Sequence, residues 1–211
     1  MKKSERVTKI IEIFEQVYGD ADCTLDYKTP LQLLVATQLA AQCTDARVNI
    51  VCKSLFKKYK NVEDFAIADL AELQEDIRST GFFRNKSKNL ISCCRRLIDE
   101  YDGEVPDNMK DLLTLAGVGR KTANLILSEV FGIPSVVVDT HATRISRLLG
   151  LTKNTDPYKI ELDLQKVIPR KNWSSFCHQL VYHGRASCHA RSPKCAECPI
   201  NFLCPSMTID K

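Results

Sequence analysis

Apolar positions recur along this chain at intervals of three and four residues almost throughout, the period of a helix that buries one face. Val7, Ile10, Ile11, Phe14, Val17 and Tyr18 form one such stripe. Val48, Val51, Cys52, Leu55, Phe56 and Tyr59 form a second, and Leu90, Ile91, Cys94, Leu97, Ile98 and Tyr101 a third. Ala123, Ile126, Leu127, Val130 and Phe131 form a fourth. Helix starts are marked as well. Thr29-Pro30 and Asp156-Pro157 each put a capping side chain before a proline, whose missing N–H the first helical turn does not need. Strand-like material is scarce. Ser135-Val136-Val137-Val138 is β-branched but has no partner of similar quality, so an extended connector is expected there. The pattern predicts an all-α protein of roughly ten helices joined by short loops, and no shift in composition divides it.

Composition narrows the function classes. With 211 residues, 44% of them hydrophobic and 27% charged, the chain can bury one large core or two small ones. The opening MKKSERVTKIIEIFEQ lacks the apolar core and cleavage site of a signal peptide. The most apolar later stretch, residues 123–138, is interrupted by Asn124, Ser128, Glu129 and Pro134 and does not read as a membrane span. A soluble, cytoplasmic protein is expected. A net charge of +4 permits a nucleic-acid partner without demanding one. Ten cysteines in a chain without export signals point to metal binding, at least for those that cluster. The six at positions 23, 43, 52, 93, 94 and 177 are scattered, and most of them read as small buried hydrophobes.

The other four form Cys188-x6-Cys195-x2-Cys198-x5-Cys204. Four thiolates within 17 residues make a closed all-sulfur site, suited to zinc or to an iron–sulfur cluster; spacing alone does not separate the two. Pro193, Pro199 and Pro205 break helices around the ligands, as a loop wrapped round a metal requires. Arg185, His189, Arg191 and Lys194 lie on or just before this loop, where they would meet phosphates or simply face water.

Residues 112–123 read LLTLAGVGRKTA. Two apolar helical turns lead into Gly117-Val118-Gly119, and a second helix begins at Arg120. Glycine at both positions permits positive φ and close approach of another backbone. The N–H groups opening the second helix then form an anion site, the helix–hairpin–helix arrangement that grips a DNA phosphate without reading sequence. Lys121 stands in that first turn, where the helix dipole disfavours an ammonium. It is either an amine nucleophile able to form a Schiff base or one more phosphate contact. Asp139, which ends the apolar run, reads as a helix N-cap that can also stay ionised opposite a developing cation.

Together these segments resemble the endonuclease III family of DNA glycosylases. The likeness rests on LLVATQLAAQCTDARVN from Leu33, GVGRKTA, VVDTHATR from Val137, HGRASC from His183 and the cysteine cluster, and it covers essentially the whole chain. It implies two helical domains with a DNA groove between them. A six-helix barrel with the helix–hairpin–helix would span residues 23–133, and an iron–sulfur domain residues 1–22 and 134–211. It further implies that Cys188, Cys195, Cys198 and Cys204 hold a [4Fe–4S] cluster. Lys121 would be the nucleophile and Asp139 its partner in excision of oxidised pyrimidines followed by β-elimination. Gln42 matches the residue that fills the gap left by the flipped nucleotide, and Phe82 stands where the family often has an aliphatic wedge. Asp45 and His141 match pocket positions. Gly117, Val118, Gly119, Arg120, Arg191 and Lys194 would contact DNA. The implied partner is double-stranded DNA carrying damaged pyrimidines or abasic sites, bound by a monomer at the cytoplasmic nucleoid. The hairpin departs from the family in Ala116, which replaces a proline, and in Leu113, at a position acidic in some members. Adenine- and thymine-mismatch glycosylases usually lack the hairpin lysine. A non-catalytic DNA-binding module or a redox sensor would not need the Lys121/Asp139 pair.

Overall fold

The structure, a computed structural model, describes residues 2–207. Eleven α-helices run through them: α1 (Lys3–Tyr18), α2 (Pro30–Leu39), α3 (Asp45–Lys58), α4 (Val62–Ala66), α5 (Leu70–Asp76), α6 (Phe83–Tyr101), α7 (Met109–Leu112), α8 (Arg120–Phe131), α9 (Thr140–Leu148), α10 (Pro157–Val167) and α11 (Trp173–Ala186). Single 3-10 turns lie at Arg78–Thr80, Arg170–Asn172 and Asn201–Leu203. No strand occurs among the described residues, as the hydrophobic period implied. The two marked starts hold their caps: Thr29 accepts the N–H of Gln32 and Asp156 that of Lys159. Residues 132–139 form the extended connector, with Ser135 to Val138 all buried.

The chain divides into two compact units. In the one containing residues 24–132, α2 is the central element. Every residue from Leu33 to Leu39 is buried, the polar Thr37 and Gln38 included, and the helix packs against α3, α6 and α8. Helix α6 buries Leu90, Ile91, Cys94 and Leu97 against α4 and α5.

The other unit draws on residues before 24 and after 132. In it α1 packs on α11, and α11 on α9. Val7, Ile10, Ile11 and Phe14 face inward, and the Phe14 ring lies 5.0 Å from that of His183. Val17 departs from its expected stripe and is half exposed, because a period of 3.6 residues carries the face from Phe14 to Tyr18 instead. Of the six scattered cysteines, 52, 93, 94 and 177 are buried and 23 and 43 partly so. Burial pushes the thiols of Cys52 and Cys177 up to about 12 and that of Cys93 up to about 11, keeping them neutral and inert.

Candidate functional site

In the unit of residues 24–132, α7 is a single turn, not the two helical turns expected. The chain from Leu113 to Val118 closes through successive turns, Leu115 N–H to Leu112 and Val118 N–H to Leu115. Leu113 points outward, 42% exposed, and so takes no part in the core. The two glycines differ. Gly117 has φ +77°, and a Cβ there would lie 2.6 Å from Gln38 Oε1 and 3.0 Å from Asn89 Cβ. Gly119 is extended, at φ −99° and ψ 177°, so the expected positive φ holds only for Gly117. A Cβ at Gly119 would meet nothing within 4 Å. Its bareness therefore answers no need inside the protein and suits the approach of something from outside. Gly119 is the N-cap of α8 and brings no side chain to the helix start. Val118 is buried, and Lys121 is exposed in the first turn with Arg120 beside it.

Two further loops of this unit carry Gln42 and Phe82. Both residues sit in the left-handed region, at φ +55° and +50°, although neither is glycine. Phe82 is 61% exposed. An exposed aromatic ring on a left-handed backbone marks the position for contact with a partner. Asp45 opens α3 and accepts the Thr24 hydroxyl at 2.6 Å. Two buried polar residues stand behind these features and carried no signal in the sequence. Gln38, 4% exposed, underlies Gly117; Lys86, 6% exposed, underlies the loops of Gln42 and Phe82.

In the other unit, α9 positions three functional candidates in succession. Asp139 caps it, Oδ1 accepting the Ala142 N–H at 2.7 Å, while the second carboxylate oxygen takes no hydrogen bond from the described residues. His141 packs against α11 where a Cβ at Gly184 would overlap its Nδ1, which explains the glycine of the His183-Gly184-Arg185 segment. Arg144, not singled out from the sequence, donates to the Cys188 carbonyl at 2.7 Å and lies 3.6 Å from that residue's Sγ.

Cys188, Cys195, Cys198 and Cys204 line one pocket with Ile145, Leu149 and His183. Burial, and then the charges of the neighbouring cysteines, raise the Cys198 and Cys204 thiols above the ordinary range, so a multivalent cationic core is needed to hold them all as thiolates. His183 Nε2 lies 3.8 Å from Cys198 Sγ, and its Nδ1 is 3.1 Å from the Tyr18 hydroxyl. Burial, aided by Arg144, pulls the His183 pKa down to about 4, so the ring is neutral. Arg191 and Lys194 are exposed on the same loop.

Comparison with known proteins agrees with this geometry. Residues 35–170 match the HhH-GPD superfamily of base excision DNA repair proteins, and residues 188–204 match the iron–sulfur binding domain of endonuclease III. Endonuclease III of Synechocystis sp. is 54% identical over 97% of this chain and 94% of its own. A solved non-covalent endonuclease III–DNA complex superposes with a TM-score of 0.93 at 42% identity, covering 98% of this chain and 97% of that one. A trapped endonuclease III–DNA covalent intermediate matches to the same extent. The cofactor is a [4Fe–4S] cluster, and the segment that matches the iron–sulfur binding domain, residues 188–204, contains the four clustered cysteines. On sequence and architecture alike, this chain belongs to the endonuclease III family of base excision DNA repair proteins.

Proposed function

We propose that this protein is a bifunctional DNA N-glycosylase and AP lyase that removes oxidised pyrimidines from duplex DNA, acting as a monomer at the cytoplasmic nucleoid. In this reading Lys121 is the nucleophile and Asp139 its charged partner. One observation carries it. Lys121 is exposed in the first turn of α8, directly after a glycine whose missing side chain leaves open space. A relative of the same architecture forms a covalent complex with DNA, and such a complex needs an attacking group on the protein.

The hairpin and the α8 start receive a backbone phosphate, as helix N-termini do. The damaged nucleotide leaves the stack at a cost of a few kcal/mol, smallest for a damaged base, and Gln42 and Phe82 enter the gap. The Lys121 amine attacks C1′. As the new C–N bond forms, the glycosidic bond breaks and its electron pair leaves with the base. Asp139, whose Oδ1 holds the α9 cap, assists deprotonation of the lysine and steadies the cationic sugar. Opening of the sugar ring gives an imine, which acidifies the C2′ proton. Loss of that proton expels the 3′ phosphate, and water then releases the lysine. When bound, the iron–sulfur cluster supplies the cross-link that folds residues 188–204 and presents Arg191 and Lys194 to phosphates.

Borohydride reduces an imine to a stable amine, so wild-type protein should be trapped on a duplex containing thymine glycol. Lys121→Gln should still bind that duplex yet lose trapping and strand cleavage together. Full trapping by Lys121→Gln would assign the nucleophile to another amine.

A further inference from the structure

Lys86 is the most deeply buried ammonium among the described residues, at 6% exposure, and no carboxylate meets it. Its Nζ donates instead to two backbone carbonyls, Leu39 at 2.7 Å and Thr80 at 2.8 Å. Both carbonyls end a helix: Leu39 is the last residue of α2, and Thr80 the last of the 3-10 turn Arg78–Thr80. Helix C-termini are the electronegative ends, with carbonyls lacking a following N–H, so a cation is favoured there. Burial pulls the pKa of Lys86 below the ordinary lysine value, with Cys43 opposing. A neutral residue would avoid that penalty, so the position asks for what an ammonium alone offers, several short charge-assisted bonds from one atom.

The residues just beyond each carbonyl give the tie its purpose. Three residues after Leu39 comes Gln42 at φ +55°; two residues after Thr80 comes Phe82 at φ +50°. We infer that Lys86 is a positioning residue that joins these two loops into one rigid fork, so that Gln42 and Phe82 enter the helical gap together in fixed register. This rests on the reading that those two residues fill the space of the flipped nucleotide. The Phe82 carbonyl accepts the N–H groups of Asn85 and Lys86 in the first turn of α6, and the Lys86 ammonium on that same helix bonds to the carbonyls that open both loops.

The test uses the holoprotein and a lesion-bearing duplex with 2-aminopurine opposite the lesion, whose fluorescence rises as it is unstacked. Gln42→Ala, Phe82→Ala and Lys86→Met are compared, together with the two double variants that contain Lys86→Met. Cluster absorbance and urea unfolding report whether each is folded. Lys86→Met should blunt the fluorescence rise and slow base excision on the order of 10- to 100-fold, the scale expected of misplaced reacting groups. Affinity for undamaged duplex, held by the hairpin, should change little. If Lys86 acts through the fork, adding Gln42→Ala or Phe82→Ala to Lys86→Met should cost less than the product of the single effects. A folded Lys86→Met with the wild-type fluorescence rise, or fully multiplicative double variants, would overturn the inference. If Gln42→Ala and Phe82→Ala themselves leave the signal unchanged, the gap-filling reading fails instead. Should Lys86→Met not accumulate as holoprotein, Lys86→Gln is scored the same way, its neutral amide being too short to reach both carbonyls.

Discussion

Replacing each hairpin glycine by alanine separates what the fold requires from what the partner requires. At Gly117 an L-residue would be forced to φ +77°, a conformation that costs roughly 1–2 kcal/mol for a residue with a Cβ. The added methyl would also stand 2.6 Å from Gln38 Oε1 and 3.0 Å from Asn89 Cβ. Gln38 is 4% exposed and cannot swing into solvent, so overpacking adds about 1–3 kcal/mol. Gly117→Ala should therefore lose about 2–5 kcal/mol of unfolding free energy. Gly119 is extended and its Cβ would meet nothing within 4 Å. There alanine loses about 0.7 kcal/mol as an N-cap and gains about 0.4–1 kcal/mol from a stiffer unfolded chain. Gly119→Ala should unfold within about 0.5 kcal/mol of wild type. It should nevertheless weaken binding to undamaged duplex, because the new methyl occupies the space left for a phosphate. Urea titration of the holoproteins and fluorescence anisotropy with a duplex measure the two quantities. A Gly117→Ala variant as stable as wild type would refute the packing argument. A Gly119→Ala variant with unaltered affinity would refute the phosphate site.

The same geometry sets other outcomes. Asp139→Asn keeps much of the α9 cap but removes the charge, so base excision should fall on the order of 100- to 1,000-fold; a preformed abasic site should be cut with a smaller deficit, and equal deficits on both substrates would count against Asp139 as the stabiliser of base departure. In the Arg191→Ala/Lys194→Ala double variant the slope of log affinity against log salt should flatten by about 0.9 for each phosphate no longer neutralised; an unchanged slope would confine DNA binding to the hairpin. Iron analysis should give about four irons per chain and no stoichiometric zinc, and Cys198→Ala should destabilise the cluster-bearing unit before it affects imine chemistry.

Much of this architecture was legible in the sequence because its determinants are local. A stripe such as Leu90, Ile91, Cys94 and Leu97 needs only the helical period to predict a buried face. Thr29 and Asp156 each cap a helix within three residues of themselves. The four clustered cysteines carry their chemistry in their spacing, and Asp139 was expected to cap the helix it does cap. The tertiary structure decided what depends on residues distant in sequence or on backbone angles that composition does not specify. Sequence treated Gly117 and Gly119 alike; only the buried Gln38, from another helix, shows that one is needed for packing and the other is bare toward the outside. Arg144 and His183, which lie beside the Cys188 and Cys198 sulfurs, come to the 188–204 loop only through the fold. Gln42 and Phe82 adopt left-handed angles that no residue-type preference predicts. Lys86 reads in sequence as one more charged position on a helix, yet its stem is buried and its ammonium bonds to the ends of two helices. Periodicity and capping act within a few residues and so are written in order along the chain; a buried charge is defined by what surrounds it, and those neighbours exist only once the helices have packed.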